Sequence, residues 1–365
     1  MLDNQWDTVI GLESVKETLK TFIKNNKVPQ AFILLGKEGI GKDFLAAKFI
    51  HTLNRTNFPE DQLFGPSYLK YIFALPRGQN EGSDDDPYEK LKSADIDQIK
   101  SELHKKSENP YHIISIPRAN DIKINSIRDI GKYLSLNYSD YDYRLILISH
   151  AHRMNDTSQN ALLKSLEEPP PGAIFVLTTD DLSGLFSTIV SRCWMIQCPP
   201  LNKDEISNAL IRYYGYDPKD ASMAAEFGDG SVSAAVDFVD LNISGIKDEI
   251  VNFLKHILGN KIHSAFKLAT EFSREQGTQE VLLFLNLLKN WFLDILRYGA
   301  GQSENLYFNE FKENIHNFHN KFNDTEKLNG IISKLDKYAS LIKDRNINTN
   351  IIWFNVITEI NSFRD

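Results

Sequence analysis

The 365 residues carry 41 lysines and arginines against 49 aspartates and glutamates, a net charge of −8, with 42% apolar and 25% charged residues. At ~150 residues per domain this length predicts two or three domains with a sizeable core, and the acidic balance excludes a protein that coats itself in nucleic acid. Two cysteines, Cys193 and Cys198, exclude a disulfide scaffold and a four-cysteine zinc module.

The first eleven residues have neither a basic leader nor an apolar core, so the expectation is a cytoplasmic chain with no export signal and no membrane partner. Val15, Leu19, Phe22 and Ile23 recur at helical spacing, and a buried strand follows at 31–35. Leu45, Phe49 and Leu53 form the next helical stripe. Seven acidic residues against Lys90 and Lys92 between 81 and 97 read as a solvated acidic excursion, part of an insertion near 55–105. Further strands are predicted at 112–116, 144–149, 174–178 and 194–197, with Ile124, Ile127, Ile130 and Leu134 as a helix before the third strand. Alternating β and α of this kind predicts a parallel sheet covered on both faces.

Cys198-Pro199-Pro200 breaks the pattern, because proline fixes the backbone and removes donors. Beyond it only helices are predicted: short ones at 204–215, 221–227 and 231–239, then longer ones at 247–258, 281–298, 306–322 and 328–342. The greasiest of these, 281–296, is interrupted by Asn286, Lys289, Asn290 and Asp294 and so reads as a core helix. From 246 to the end, 15 basic residues balance 15 acidic ones. The predicted organisation is an α/β parallel-sheet domain over 1–198, a small helical domain over 199–244 and an all-α domain over 245–365.

The chemistry concentrates first at residues 36–43, GKEGIGKD, placed after a strand and opening a helix. Gly36, Gly39 and Gly41 let backbone N–H groups curl around phosphates, and Lys42 supplies the cation of a GxxxxGK[ST] loop. Position 43 departs from that form. A Ser or Thr there would ligate magnesium; Asp43 instead carries its own negative charge into the anion site, where it can pair with Lys42. The strand ending at 149 repeats the departure, since Ser149 and His150 stand where a P-loop ATPase has its metal-binding and water-activating carboxylates. A Ser149–His150 hydrolase pair is disfavoured, because neighbours on a strand point to opposite faces and no GxSxG elbow is present. His104, His112, His150 and His152 lack metal-site spacing, so no metal site is expected.

With VIG at 9–11, the GKEGIGKD loop, NALLKSLEEPP at 160–170 and SRC at 191–193 in this order, the first 200 residues resemble the bacterial clamp-loader family of AAA+ proteins. The resemblance implies a sheet domain, a lid and a helical collar that joins a five-subunit ring, loading a sliding clamp on primed DNA. It also implies tau/gamma and delta subunits as partners. The departures at Asp43, Ser149 and His150 are closer to the non-hydrolysing delta-prime branch than to the tau/gamma ATPases, as is the absence of a cation in Gly230–Ser233 of the lid. The zinc module usual in the family is missing, since 51–110 contains no cysteine. The expected cofactor is therefore none, with at most weak, passive ATP or ADP binding. By resemblance, Arg192 projects across an interface to phosphates held by a neighbouring ATPase; the ordinary alternative is a structural arginine paired with a carboxylate. Thr178 and Thr179 stand at the family's first sensor position and read as capping residues. Two other functions compete: a working tau/gamma-type ATPase, and a helicase-like AAA+ protein binding DNA alone, against which the acidic charge stands.

Overall fold

Five short strands carry the first half of the chain: β1 (Ala31–Leu35), β2 (Leu69–Ile72), β3 (Arg144–Ile148), β4 (Ala173–Thr179) and β5 (Trp194–Gln197). They form one sheet in the order β2-β3-β4-β1-β5, parallel at every pairing. All seven residues of β4 are buried, as expected for a central strand covered on both faces. The computed structural model describes residues 6–56, 62–136, 140–239, 243–275, 277–304, 306–345 and 349–362. Part of the N-terminal segment and residues 57–61 of the predicted insertion thus lie outside the described residues.

Four of the five strands fall where the apolar runs predicted them; the fifth does not. Residues 112–116 are not a strand. Their backbone is engaged elsewhere, with the His112 carbonyl accepting from Lys106 Nζ at 2.6 Å and Ser115 N donating to Glu102 at 3.0 Å. The sheet edge is taken by β2, in register from Leu69 opposite Leu145 to Ile72 opposite Ile148. The 55–105 segment is accordingly more than a solvated excursion. It contributes β2 and most of α3, and its loop is pinned from inside: Glu81 accepts from buried Lys123 at 2.5 Å, from Asn125 Nδ2 at 2.5 Å and from Gly78 N at 2.6 Å.

Helices α1 (Glu13–Lys24), α2 (Lys42–Leu53), α3 (Ser93–Glu108), α4 (Ile124–Ser135), α5 (Asp156–Glu167) and the single turn α6 (Ser187–Val190) connect the strands. Every residue of α2 is buried, including the polar Lys42, Asp43, Lys48, His51 and Thr52. Asn155 caps α5 by accepting from Ser158 N at 3.0 Å. Three further helices follow the sheet: α7 (Lys203–Tyr214), α8 (Pro218–Phe227) and α9 (Val232–Val239). α7 opens with a capping box, Asn202 accepting from Glu205 N at 2.9 Å and Glu205 accepting from Asn202 N at 2.7 Å. The chain divides into two compact units, Met1–Val236 and Asp237–Asp365, so these short helices belong mainly with the sheet.

The second unit contains α10 (Ile243–Leu258), α11 (Ile262–Glu275), α12 (Thr278–Gly299), α13 (Lys312–Lys321), α14 (Thr325–Arg345) and α15 (Thr349–Asn361). α11 and α15 add to the four long helices the periodicity predicts. Phe253, Phe284 and Trp353 meet edge-on, with centroids 5.2–6.0 Å apart, and Trp353 Nε1 donates to Ser273 Oγ at 2.6 Å. Asp294, the acidic interruption of α12, is fully buried and accepts from Phe308 N at 2.8 Å. Among the described residues no helix is long and apolar enough to cross a membrane.

Candidate functional site

β1 ends at Leu35 and α2 begins at Lys42, so the Gly-rich loop lies at the C-terminal end of the sheet. Gly39 and Gly41 have φ of 70° and 91°, the left-handed region that favours glycine. At Gly39 space is as limiting as conformation: a Cβ would fall 2.0 Å from Ser233 Oγ. The segment before and into α9 sits directly on this loop. Ser231 Oγ donates to Glu38 O at 2.7 Å, Val232 N to Gly39 O at 3.3 Å, and Lys37 pairs with Asp229 at 2.5 Å.

The Lys42 ammonium is turned onto its own loop, donating to the carbonyls of Gly36 and Lys37 at 2.6 Å each. Its Nζ thus does not take up the pairing with Asp43 that the sequence allows. Burial lowers its pKa, against the nearby Asp43 charge. Asp43, in the first turn of α2, is 6% exposed. Its Oδ2 accepts from Ser149 Oγ at 2.7 Å and Tyr71 OH at 2.9 Å, and its Oδ1 accepts from Thr178 Oγ1 at 2.6 Å. The Lys106 ammonium stands 4.0 Å from Oδ2. Burial pushes this carboxyl upward, but Lys106, His150 and the hydroxyl donors outweigh it and hold the pKa down at about 2.

Ser149 and His150 meet, contrary to the opposite-faces expectation. His150 lies just past β3 with φ 50° and ψ 52°, so the alternation of a strand no longer governs it. Its Nδ1 is 3.0 Å from Ser149 Oγ, and its Nε2 is 2.7 Å from Glu38 Oε1. The order Glu38–His150–Ser149 has hydrolase-like connectivity, but Ser149 is 2% exposed and its proton goes to Asp43, leaving none for the imidazole to take. Thr179 Oγ1 donates to Asp181 O at 2.8 Å, accepts from Asp181 N at 3.1 Å and meets His152 Nδ1 at 2.9 Å, closing the turn after β4. Thr178 does not cap; it completes the Asp43 shell.

These groups surround a cavity of about 280 Å³ lined by Lys42, Asp43, Tyr71, Lys106, His150 and Arg153. Glu38, Tyr71 and Lys106 were not among the sequence-predicted residues. Tyr71 lies in an apolar run, 68–75, that signals β2, whereas Lys106 follows Lys105 in a helix end that looks like an ordinary solvated surface. Among the described residues no group of three or more His, Cys, Asp or Glu is arranged to hold a metal.

Arg192 lies elsewhere. It follows α6 and precedes β5, whose first residue pairs with Phe32 near the start of β1. It is therefore at the sheet end opposite its own P-loop. Its Nη2 donates to Glu167 Oε1 at 2.8 Å and its Nη1 to Thr188 O at 2.9 Å, with the Arg192 and Glu167 side chains 37% and 51% exposed.

Residues 11–202 match the family described as DNA polymerase III, delta subunit. The chain is 25% identical over 245 residues to the DNA polymerase III subunit tau of Bacillus subtilis, covering 66% of this chain and 38% of that protein. It is 34% identical over 95 residues to subunit delta' of Haemophilus influenzae, covering 26% and 29% of the two chains. These matches span less than half of each relative's length. A gamma subunit-related protein of Thermotoga maritima aligns over 97% of this chain and 99% of its own at 17% identity, with a TM-score of 0.35.

Proposed function

Because the chain belongs to the DNA polymerase III delta-subunit family, we propose that it is a non-hydrolysing, delta-prime-type subunit of a bacterial clamp loader. In this reading it sits in the cytoplasm in a ring with tau/gamma and delta subunits. It supports ATP-dependent loading of the sliding clamp on primed DNA and lends Arg192 to a neighbour's active site. It works as three parts, a sheet domain, a lid and a helical collar.

The observation that carries the reading is the Asp43 carboxylate, which replaces the metal-ligating hydroxyl and accepts from Tyr71, Ser149 and Thr178. The Lys42 ammonium, needed on the phosphates of a substrate, is spent on loop carbonyls, and the end of β3 offers no carboxylate. A steady-state ATPase assay on the isolated chain is expected to show no turnover. Turnover that disappears in Lys42→Ala overturns the proposal in favour of a hydrolysing tau/gamma type, which the likeness to the Bacillus subtilis tau subunit favours.

A further inference from the structure

A P-loop implies a divalent cation bound with its nucleotide, and the residues here do not fit one. Asp43 occupies the place of the ligating hydroxyl, and a cation already faces it, the Lys106 ammonium 4.0 Å from its Oδ2. We propose that Lys106 is the built-in counter-ion of this P-loop: its ammonium faces the Asp43 carboxylate and balances its charge where a hydrolysing relative would hold a metal. The inference rests on the non-hydrolysing reading of the loop and extends it to the residue that makes the altered loop tolerable.

The geometry carries it. Lys106 is 6% exposed, with Nζ 4.0 Å from Asp43 Oδ2. Two carbonyls fix its direction, Pro110 O at 3.1 Å and His112 O at 2.6 Å, so the ammonium cannot turn to water without abandoning both. Residues 112–116 thus leave the sheet and instead help hold this cation. Lys106 also lies in the last turn of α3, where the helix dipole favours positive charge. Of the cations lining the cavity, Lys42 is turned onto its own loop carbonyls, while Lys106 stands 4.0 Å from the Asp43 carboxylate. A buried carboxylate without a facing cation would be strongly disfavoured, and a buried ammonium without a facing anion equally so. Each therefore accounts for the other.

The consequence is testable with Mn2+ alone, without nucleotide or partner subunits. With the ammonium removed, the Asp43 carboxylate flanked by the Ser149 and Thr178 hydroxyls becomes a set of hard oxygen donors. Electron paramagnetic resonance titrations on the full chain should find no Asp43-dependent Mn2+ site in the wild type. Lys106→Met and Lys106→Gln, checked for folding by circular dichroism, should each gain a site at least about tenfold tighter than any in the wild type. The site should vanish in Lys106→Met/Asp43→Asn. A folded Lys106 variant that gains no Mn2+ site overturns the proposal, as does wild-type Mn2+ binding that Asp43→Asn abolishes. If neither Lys106 variant folds, the wild-type comparison with Asp43→Asn decides alone. Either failure leaves the non-hydrolysing reading standing, since that is judged by turnover.

Discussion

At one end of the sheet the Asp43 carboxylate is 6% exposed, holds three hydroxyl donors and faces a lysine that is itself buried. At the other end the Arg192 guanidinium is 37% exposed and holds a single carboxylate, Glu167, which is half in water. The first arrangement turns the Asp43 carboxylate and the Lys106 ammonium onto groups of the chain itself. The second leaves the cation on a weak tether that an outside anion can outbid, because exposed ion pairs are worth ~0–1 kcal/mol. A carboxylate turned into the chain and a cation left at its surface are thus told apart by burial and by how many partners each has at home.

The comparison breaks first at Lys106. Removing one member of a buried charge pair leaves the other uncompensated, which costs about 3–5 kcal/mol. Lys106→Met should lose that much in urea unfolding, and Lys106→Met/Asp43→Asn should lose less than the two single variants added together. Strict additivity would mean that the two charges do not sense one another.

Acid titration is a smaller probe of the same end. The Asp43 carboxyl titrates at about 2 in the folded chain against an ordinary 3.8. A depressed folded pKa contributes stability that is complete above the unfolded value and is lost as pH falls through the folded one. The size is about 2 kcal/mol, present above roughly pH 4 and gone near pH 2. The stability of Asp43→Asn should therefore fall less steeply than that of the wild type across this window, and parallel curves would contradict the proposed shell.

How much of this could be read in the sequence depends on the length scale of each signal. Strands β1, β3, β4 and β5 announce themselves as apolar runs, because a parallel sheet buries both faces. Gly36, Gly41 and Lys42 are legible because a phosphate loop demands them at fixed spacing. Residues 112–116 mislead for a physical reason: HIISI satisfies the strand pattern, yet its backbone partners are Glu102 and Lys106, and which side chain takes a carbonyl is a tertiary fact. Lys106 itself is invisible, since a lysine at a helix end is normally solvated. Tyr71 and Glu38 reach the site only once β2 is placed at the edge and His150 turns into the left-handed region. Asp43 is legible as a departure, but its hydroxyl partners Tyr71, Ser149 and Thr178 come from other strands and loops and are set only by the tertiary fold.

Arg192 carries the smallest effect on the chain and the most specific one on its surroundings. Arg192→Ala should change the unfolding free energy of the isolated chain by less than about 0.5 kcal/mol, because only an exposed pair and one carbonyl contact are lost. If the side chain reaches a neighbour's phosphates in the assembled clamp loader, the same variant should still assemble and should lower DNA- and clamp-stimulated ATP turnover. Arginine fingers are worth roughly 10³–10⁵ in rate, but only one of several sites loses its finger, so the net fall should be about a few-fold. Arg192→Lys should restore little, since a point charge does not reproduce the planar fork. Glu167→Ala separates the two roles. It deletes the home partner while leaving the guanidinium in place, so an arginine that serves a neighbour keeps its effect on turnover, whereas an arginine that matters only through Glu167 makes Glu167→Ala as damaging as Arg192→Ala. Unchanged clamp loading by a well-assembled Arg192→Ala complex would assign the residue to that local pair alone.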